Sequence, residues 1–120
     1  GFAQLARRGL SFEAWCYHRQ IPDVTALARA FPDTTIVLDH FRAPVGVGSY
    51  AGRGREVYAE WRSSIAELAT CPNVVGKLGG INMEVNGLRW HEPASPDHHG
   101  ERRYTRTAVS WKSAACSGAE

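Results

Sequence analysis

The chain has 120 residues, of which 43% are hydrophobic and 22% charged, the proportions of a soluble domain with a core of its own. Its net charge of +2 is too small to indicate a nucleic acid or an anionic membrane as partner, and no apolar run reaches the length of a membrane span. The three cysteines are widely spaced, without a C-x-x-C pair, which argues against a disulfide framework or a zinc ribbon. We therefore expect free thiols and a cytoplasmic location.

The first half of the chain alternates between strand and helix patterns. Leu10–Cys16 is predicted to be a strand, and polar residues 17–20 follow it. Pro22 stands where a helix begins, and apolar residues then recur with helical spacing up to Phe31. Thr35–Leu38 is short and almost continuously apolar, which is typical of a parallel strand covered on both faces.

A glycine-rich connection from about residue 41 to 54 leads to a predicted helix from about Arg55 to Thr70. Val74–Leu78 is predicted to be a third strand, which Gly79 and Gly80 end. This order of strands and helices is the signature of parallel βαβ units. Polar residues cluster just after the strands, where α/β folds place their chemistry.

The character of the chain changes after residue 92. Residues 93–120 show no sustained period and are expected to form an irregular tail, so that residues 1–92 make up the folded part. His91, Glu92, His98 and His99 lack the ordered spacing of a metal site and are interpreted as incidental surface residues.

Two histidines follow predicted strands and are candidates for a site. His40 comes directly after the second strand, where a neutral imidazole could bind a divalent metal or move a proton near neutral pH, although a buried structural histidine fits equally well. His18 and Gln20 follow the first strand and could face the same place, but a plain polar loop is the simpler interpretation.

Two cationic residues are further candidates. Lys77 stands in an apolar strand and could hold a substrate oxyanion or carboxylate, or could extend its amine to solvent at the sheet edge. Arg53 lies just before a helix in the glycine-rich connection, where it could bind an anion, or could be an ordinary solvated arginine. No G-x-S-x-G motif is present, which disfavours a serine hydrolase.

Four stretches together resemble the amidohydrolase-related family, in its lactonase-like branch, over about residues 1–92. They are Gly9–Trp15, Tyr17–Gln20, the Leu-Asp-His strand end at 38–40, and residues 73–80 with the sequence Asn-Val-Val-Gly-Lys-Leu-Gly-Gly. The resemblance implies an α/β fold, with about three consecutive strands of a (β/α)8 TIM barrel, which needs about 250 residues.

The resemblance also implies a function. Members of the family are metal-dependent hydrolases that attack the carbonyl of a small molecule, here a carboxylated or sugar lactone, with an activated water. His40 would then be the catalytic histidine and a possible ligand of Zn or Mn, while His18, Gln20, Arg53 and Lys77 would line the substrate pocket.

The sequence also departs from the family pattern. The family's H-x-H pair and its essential aspartate on the last strand have no counterpart here. We therefore expect the isolated chain to bind no metal, to be inactive, and to self-associate through exposed barrel edges. The alternative is a small α/β module that binds an anion or a nucleotide through the loop at Arg53, without catalysis.

Overall fold

The computed structural model describes residues 1–80 and 83–87. Within these ranges the chain forms a three-stranded parallel sheet in the order β1-β2-β3, with β1 at Phe12–Ala14, β2 at Ile36–Leu38 and β3 at Val74–Gly76. The register places Ala14 beside Leu38 and Leu38 beside Gly76, so the three strands end at the same level. The predicted parallel βαβ arrangement is confirmed, although the strands are shorter than the sequence pattern suggested.

Three helices accompany the sheet: α1 at Gln4–Arg7, α2 at Ile21–Ala30 and α3 at Gly54–Leu68. Helix α2 begins with proline in its first turn, as predicted, because proline needs no hydrogen-bond acceptor there. The apolar stripe of α3 buries Val57, Trp61, Ile65 and Leu68. None of the described helices is long and apolar enough to cross a membrane.

The core lies between the two longer helices and one face of the sheet. Ile36 and Leu38 on β2 are buried at 0% and 2% exposure, and they pack with residues of α2 and α3. Residues of the opposite parity face away from the helices, and Val75 on this open face is 50% exposed. The sheet is therefore covered on one face only within the described residues.

A single amide fastens helix α2 to the start of β3. The Nδ2 group of Asn73 donates to the carbonyl oxygens of Ala28, Phe31 and Thr34, at 3.0 to 3.1 Å. Ala28 lies in the last turn of α2, where carbonyl oxygens lack a partner within the helix, and Phe31 and Thr34 lie in the connection that follows. The Asn73 side chain therefore links the end of α2 and this connection to the start of β3.

Three features predicted from the sequence fall wholly or partly outside the described residues. They are the domain boundary at residue 92, the irregular tail at 93–120, and the surface position of His91, Glu92, His98 and His99. Cys16 and Cys71 are free thiols, as expected.

Candidate functional site

The carboxyl end of β2 continues into a backbone turn that is unusual for ordinary side chains. His40, Phe41 and Arg42 have φ angles of 55°, 51° and 45°, so three consecutive residues other than glycine are left-handed. Each such residue costs about 1–2 kcal/mol relative to a right-handed one. Strain of this kind persists only where surrounding contacts hold it, and it concentrates at functional sites. We call residues 40–42 the left-handed turn.

Contacts from two other elements hold the left-handed turn in place. The indole Nε1 of Trp61 on α3 donates a buried hydrogen bond of 2.9 Å to the carbonyl oxygen of Phe41. The ring of Phe41 lies so close to Gly76 on β3 that a Cβ there would sit 2.9 Å from its Cε1 atom. The turn is thus pinned by one helix and by the neighbouring strand.

The imidazole of His40 rests on the glycines that follow β3. A Cβ at Gly80 would lie 2.6 Å from the His40 Cγ atom, and one at Gly79 would lie 3.2 Å from its Nδ1. Gly80 also has a φ of 64°, which suits glycine. The histidine after β2 therefore needs residues without side chains after β3, and the glycine pair at 79 and 80 meets this need.

The Nδ1 atom of His40 is buried and has no hydrogen-bond partner among the described residues. A buried polar atom without a partner is costly, and native proteins keep only a few of them. Among the described side chains, Nε2 of His18 and two nitrogens of Arg42 are in the same state. The imidazole of His40 can accept or donate a hydrogen bond at Nδ1. It stands at the carboxyl edge of the sheet, where α/β proteins place their sites.

Lys77 joins the three strands through two carboxylates at the same edge. Its Nζ lies 2.8 Å from Glu13 Oε1 and 3.0 Å from Asp39 Oδ1, and Asp39 directly precedes His40. The hydrogen bonds to Glu13 and then to Asp39 raise the pKa of Lys77 above its ordinary value. The lysine is therefore positively charged and is already bound by two anionic groups.

The histidine after β1 has different surroundings. His18 is only 2% exposed, and its Nδ1 accepts a hydrogen bond of 3.4 Å from the backbone N–H of Val45. Its ring meets Tyr50 edge to face, with centroids 5.1 Å apart. Burial lowers the pKa of His18, so the neutral form is favoured. His18 thus packs beneath the glycine-rich connection.

Gln20 and Arg53 make local contacts. The Oε1 atom of Gln20 accepts a hydrogen bond of 2.8 Å from the backbone N–H of Tyr17. Arg53 donates through Nε and Nη2 to both carboxylate oxygens of Glu56, which raises the pKa of Arg53. Both residues are exposed, and neither has a described contact with His40.

Of the five predicted site residues, the structure thus places His40 and Lys77 at the carboxyl edge of the sheet, linked through Asp39. Sequence reasoning missed Glu13, Asp39 and Arg42. The alternation of side chains could have placed Glu13, Asp39 and Lys77 on one face, once the parallel register was assumed. Nothing in the sequence predicts the left-handed backbone conformation at Arg42.

The described residues do not form a complete metal site. No group of three or more histidine, cysteine, aspartate or glutamate side chains within ranges 1–80 and 83–87 could hold an ion. The carboxylate next to His40, that of Asp39, is bound by Lys77. Within the described residues, His40 is therefore at most one ligand of an incomplete set.

A family model for amidohydrolases matches residues 1–111. A structure of an amidohydrolase from Burkholderia multivorans superimposes with a TM-score of 0.67 and 28% identity, covering 90% of this chain and 36% of that one. A second crystal form of that protein, with bound zinc, gives a TM-score of 0.65 at 27% identity.

Two curated proteins are similar to the chain in sequence. The uncharacterised protein y4mH of Sinorhizobium fredii is 39% identical over 83 residues, which are 69% of this chain and 26% of that protein. An L-fucono-1,5-lactonase of Burkholderia multivorans is 33% identical over 89 residues, 74% of this chain and 29% of the enzyme. The chain therefore spans less than a third of the length of these relatives.

The parallel sheet with its helices is an α/β arrangement that corresponds to part of a TIM barrel. The chain belongs to the amidohydrolase family and is similar to its lactonase-like members, which confirms the predicted family. Enzymes of this family are typically metal-dependent hydrolases.

Proposed function

We propose that this chain is part of a hydrolase that opens a small cyclic ester, a carboxylated or sugar lactone, by adding water to the ring carbonyl. The observation that carries the proposal is the placement of His40. Its imidazole is held in a strained turn at the carboxyl edge of the sheet, with Nδ1 buried and unpartnered among the described residues. A relative named as an L-fucono-1,5-lactonase supports a sugar lactone as the substrate.

In this proposal His40 contacts the reacting carbonyl. When water adds to a lactone carbonyl, negative charge develops on the carbonyl oxygen, and a fixed hydrogen-bond donor stabilises it. The other ring nitrogen, Nε2, would supply that donor when protonated, without rearrangement, because the glycines at 79 and 80 already fix the ring. The ring oxygen then leaves with a proton, and the product is a hydroxy acid.

The other predicted residues take supporting roles. Lys77 is proposed to hold Asp39, and with it the strand end that carries His40, in position, because its amine is bound by Glu13 and Asp39. His18 supports the glycine-rich connection from below through Val45 and Tyr50. Gln20 and Arg53 are proposed to meet the substrate only at the rim, because both are exposed and engaged locally.

A divalent ion such as zinc or manganese would polarise the carbonyl and acidify water if it were bound. The described side chains supply His40 as one ligand only, so further ligands would be needed. We propose that the 120 residues alone bind no metal tightly and turn over no lactone. The roles given to His40 and Lys77 do not depend on an ion.

We further propose that the chain self-associates, in the cytoplasm, through its open sheet. Val75, Leu78 and Trp15 are 50% to 60% exposed, and exposed apolar surface of this kind promotes association. Edge strands with unpaired backbone groups act in the same direction. A monomer at all concentrations in sedimentation velocity would contradict this part of the proposal.

The test of the hydrolase uses a chimera. The segment of the Burkholderia multivorans L-fucono-1,5-lactonase that aligns with this chain is replaced by this chain's residues, and hydrolysis of L-fucono-1,5-lactone is followed by acid release. We expect turnover by the chimera and a loss of at least about 100-fold in kcat for His40→Asn, since a single oxyanion donor is worth about 10²–10³ in rate.

The control for the chimera is Arg55→Gln, an exposed change on the same helix as Trp61, which should leave kcat unchanged. A chimera that unfolds cooperatively but hydrolyses no lactone would refute the proposed function. A folded His40→Asn chimera with full activity would refute the role of His40 alone. The alternative of an anion-binding module at Arg53 is less favoured, because Glu56 already accepts hydrogen bonds from the Nε and Nη2 atoms of that guanidinium.

A further inference from the structure

Arg42 is a buried cation without an ion-pair partner in the described part of the chain. It is 4% exposed, and its Nε and Nη1 atoms are buried and unbonded among residues 1–80 and 83–87. Its guanidinium carbon lies 4.3 Å from the centroid of the Trp15 ring. Burial lowers the pKa of Arg42, and the carboxylate of Asp39 opposes this shift from longer range, while the direct contact of that carboxylate is with Lys77. A buried charge of this kind is costly unless an anion compensates it.

Arg42 lines a cavity beside the carboxyl ends of β1 and β2. The cavity has a volume of about 130 Å³ and is bounded mainly by apolar side chains, among them Trp15, Val45, Met83 and Val85. An apolar cavity of about 150 Å³ accommodates benzene, which has six heavy atoms. The space therefore suits a small organic molecule better than a hydrated ion.

Charge and lining together define the ligand. One buried guanidinium balances one negative charge, so a dianion such as sulfate would leave a charge uncompensated in an apolar surrounding. A carboxylate is the group whose geometry arginine matches best, and a short hydrocarbon tail would contact the apolar wall.

We propose that this cavity is a binding site for a short-chain monocarboxylate, whose carboxylate accepts hydrogen bonds from Arg42 while its tail packs against Trp15, Val45 and Val85. The site needs no hydrolytic turnover, so it can exist whether or not the chain takes part in lactone hydrolysis. It uses none of the atoms assigned to His40 or Lys77.

The test is equilibrium dialysis of the 120-residue chain against radiolabelled butyrate at constant ionic strength in chloride buffer. Dialysis measures bound ligand in monomeric and associated protein alike. We expect saturable binding of about one butyrate per chain, with acetate competing more effectively than sulfate. The absence of saturable binding, or stronger competition by sulfate than by acetate, overturns the proposal.

Two variants assign the binding to the cavity. Arg42→Gln should weaken butyrate binding by about tenfold or more, because a charge-assisted hydrogen bond is lost, whereas Arg55→Gln, on an exposed arginine, should change nothing. Equal binding by folded Arg42→Gln overturns the proposal. If circular dichroism shows that Arg42→Gln is unfolded, Cys16→Leu decides, because it fills the cavity and leaves the guanidinium in place. Loss of binding in Cys16→Leu supports the site, and unchanged binding refutes it.

Discussion

The ends of β1 and β2 look alike in sequence and differ in structure. Each strand is followed within a few residues by a histidine in a polar stretch. After β1, His18 enters an ordinary 3₁₀ turn and is buried under the glycine-rich connection; its Nδ1 is bonded to the backbone, and its Nε2 is buried without a partner among the described residues. After β2, His40 enters the left-handed turn, and its Nδ1 atom has no partner among the described residues.

The difference lies in what surrounds each histidine. The position of His18 follows from packing: a neutral ring fills space and accepts one hydrogen bond. The position of His40 requires backbone strain, which is offset by Trp61, Gly76 and the glycines at 79 and 80. Strain that is held by several elements often occurs at functional sites, which supports the role proposed for His40. The first residue therefore supports the fold, and the second is presented at its edge.

The largest expected effect comes from the glycines beneath His40. Gly80→Ala should lower the free energy of unfolding by about 2–4 kcal/mol, because it adds a left-handed alanine and an overlap with His40. Gly52→Ala is the matched control, since Gly52 has a φ of 78° and open space around it, so only about 1–2 kcal/mol should be lost. Urea unfolding at fixed protein concentration measures both. Equal losses would mean that His40 does not rest on Gly80.

The next effect concerns the hydrogen bond that pins the left-handed turn. Trp61→Phe leaves the carbonyl oxygen of Phe41 without the indole donor and should cost about 1–3 kcal/mol. Thr70→Val is the comparison, because it removes an exposed side-chain hydrogen bond to Glu67 and should cost less than about 1 kcal/mol. A smaller loss for Trp61→Phe than for Thr70→Val in the same urea experiment would show that the turn is stable without the indole.

A third effect is the pH dependence of stability that His18 causes. The pKa of His18 is lowered in the folded chain from its ordinary value of 6.5, so below that pH the unfolded chain binds more protons than the folded one. The His18 contribution to stability is therefore complete above pH 6.5 and is lost as the pH falls through the lowered pKa. Thermal melts of the wild type should lose stability between pH 7 and 5, and His18→Gln should lose less. Identical pH profiles would show that His18 titrates as it does in the unfolded chain.

The smallest effect concerns the ion pairs at the open face. Lys77→Met should lower the urea midpoint more than Arg29→Met does. Lys77 holds the mostly buried Asp39, whereas the partner of Arg29 is the exposed Glu67. Added salt should narrow the gap between Lys77→Met and the wild type, since screening weakens the pairs that the variant lacks. If both variants lowered the urea midpoint equally, the Asp39 carboxylate would be as solvent-exposed as that of Glu67.

Much of the fold could be predicted because it depends on local patterns. The apolar run at residues 35–38, the proline near the start of α2 and the stripe of α3 each follow from the period of the element. The strands were predicted to be longer than they are, because apolar residues continue after the paired residues end at Ala14 and Gly76. The sequence does not show where the hydrogen bonding between strands stops.

The site was predictable only in part. His40 and Lys77 could be located because parallel strands bring their carboxyl ends together. The burial of His18 depends on the positions of Val45 and Tyr50, which the sequence does not give. The ion pair of Arg53 with Glu56 forms only because the first turn of α3 brings the two side chains together. The cavity at Arg42 depends on a left-handed backbone conformation that arginine disfavours. The composition of the chain and the spacing of its residues therefore do not predict this cavity.

The contact between the His40 ring and Gly80 also affects which substitutions the two positions tolerate. Positions 40 and 80 are forty residues apart, yet the ring at one occupies the volume that a side chain at the other would need. A larger residue at position 80 overlaps the ring at position 40, so it costs less stability once the side chain at position 40 has been shortened. A substitution at either position therefore changes which residues the other position tolerates.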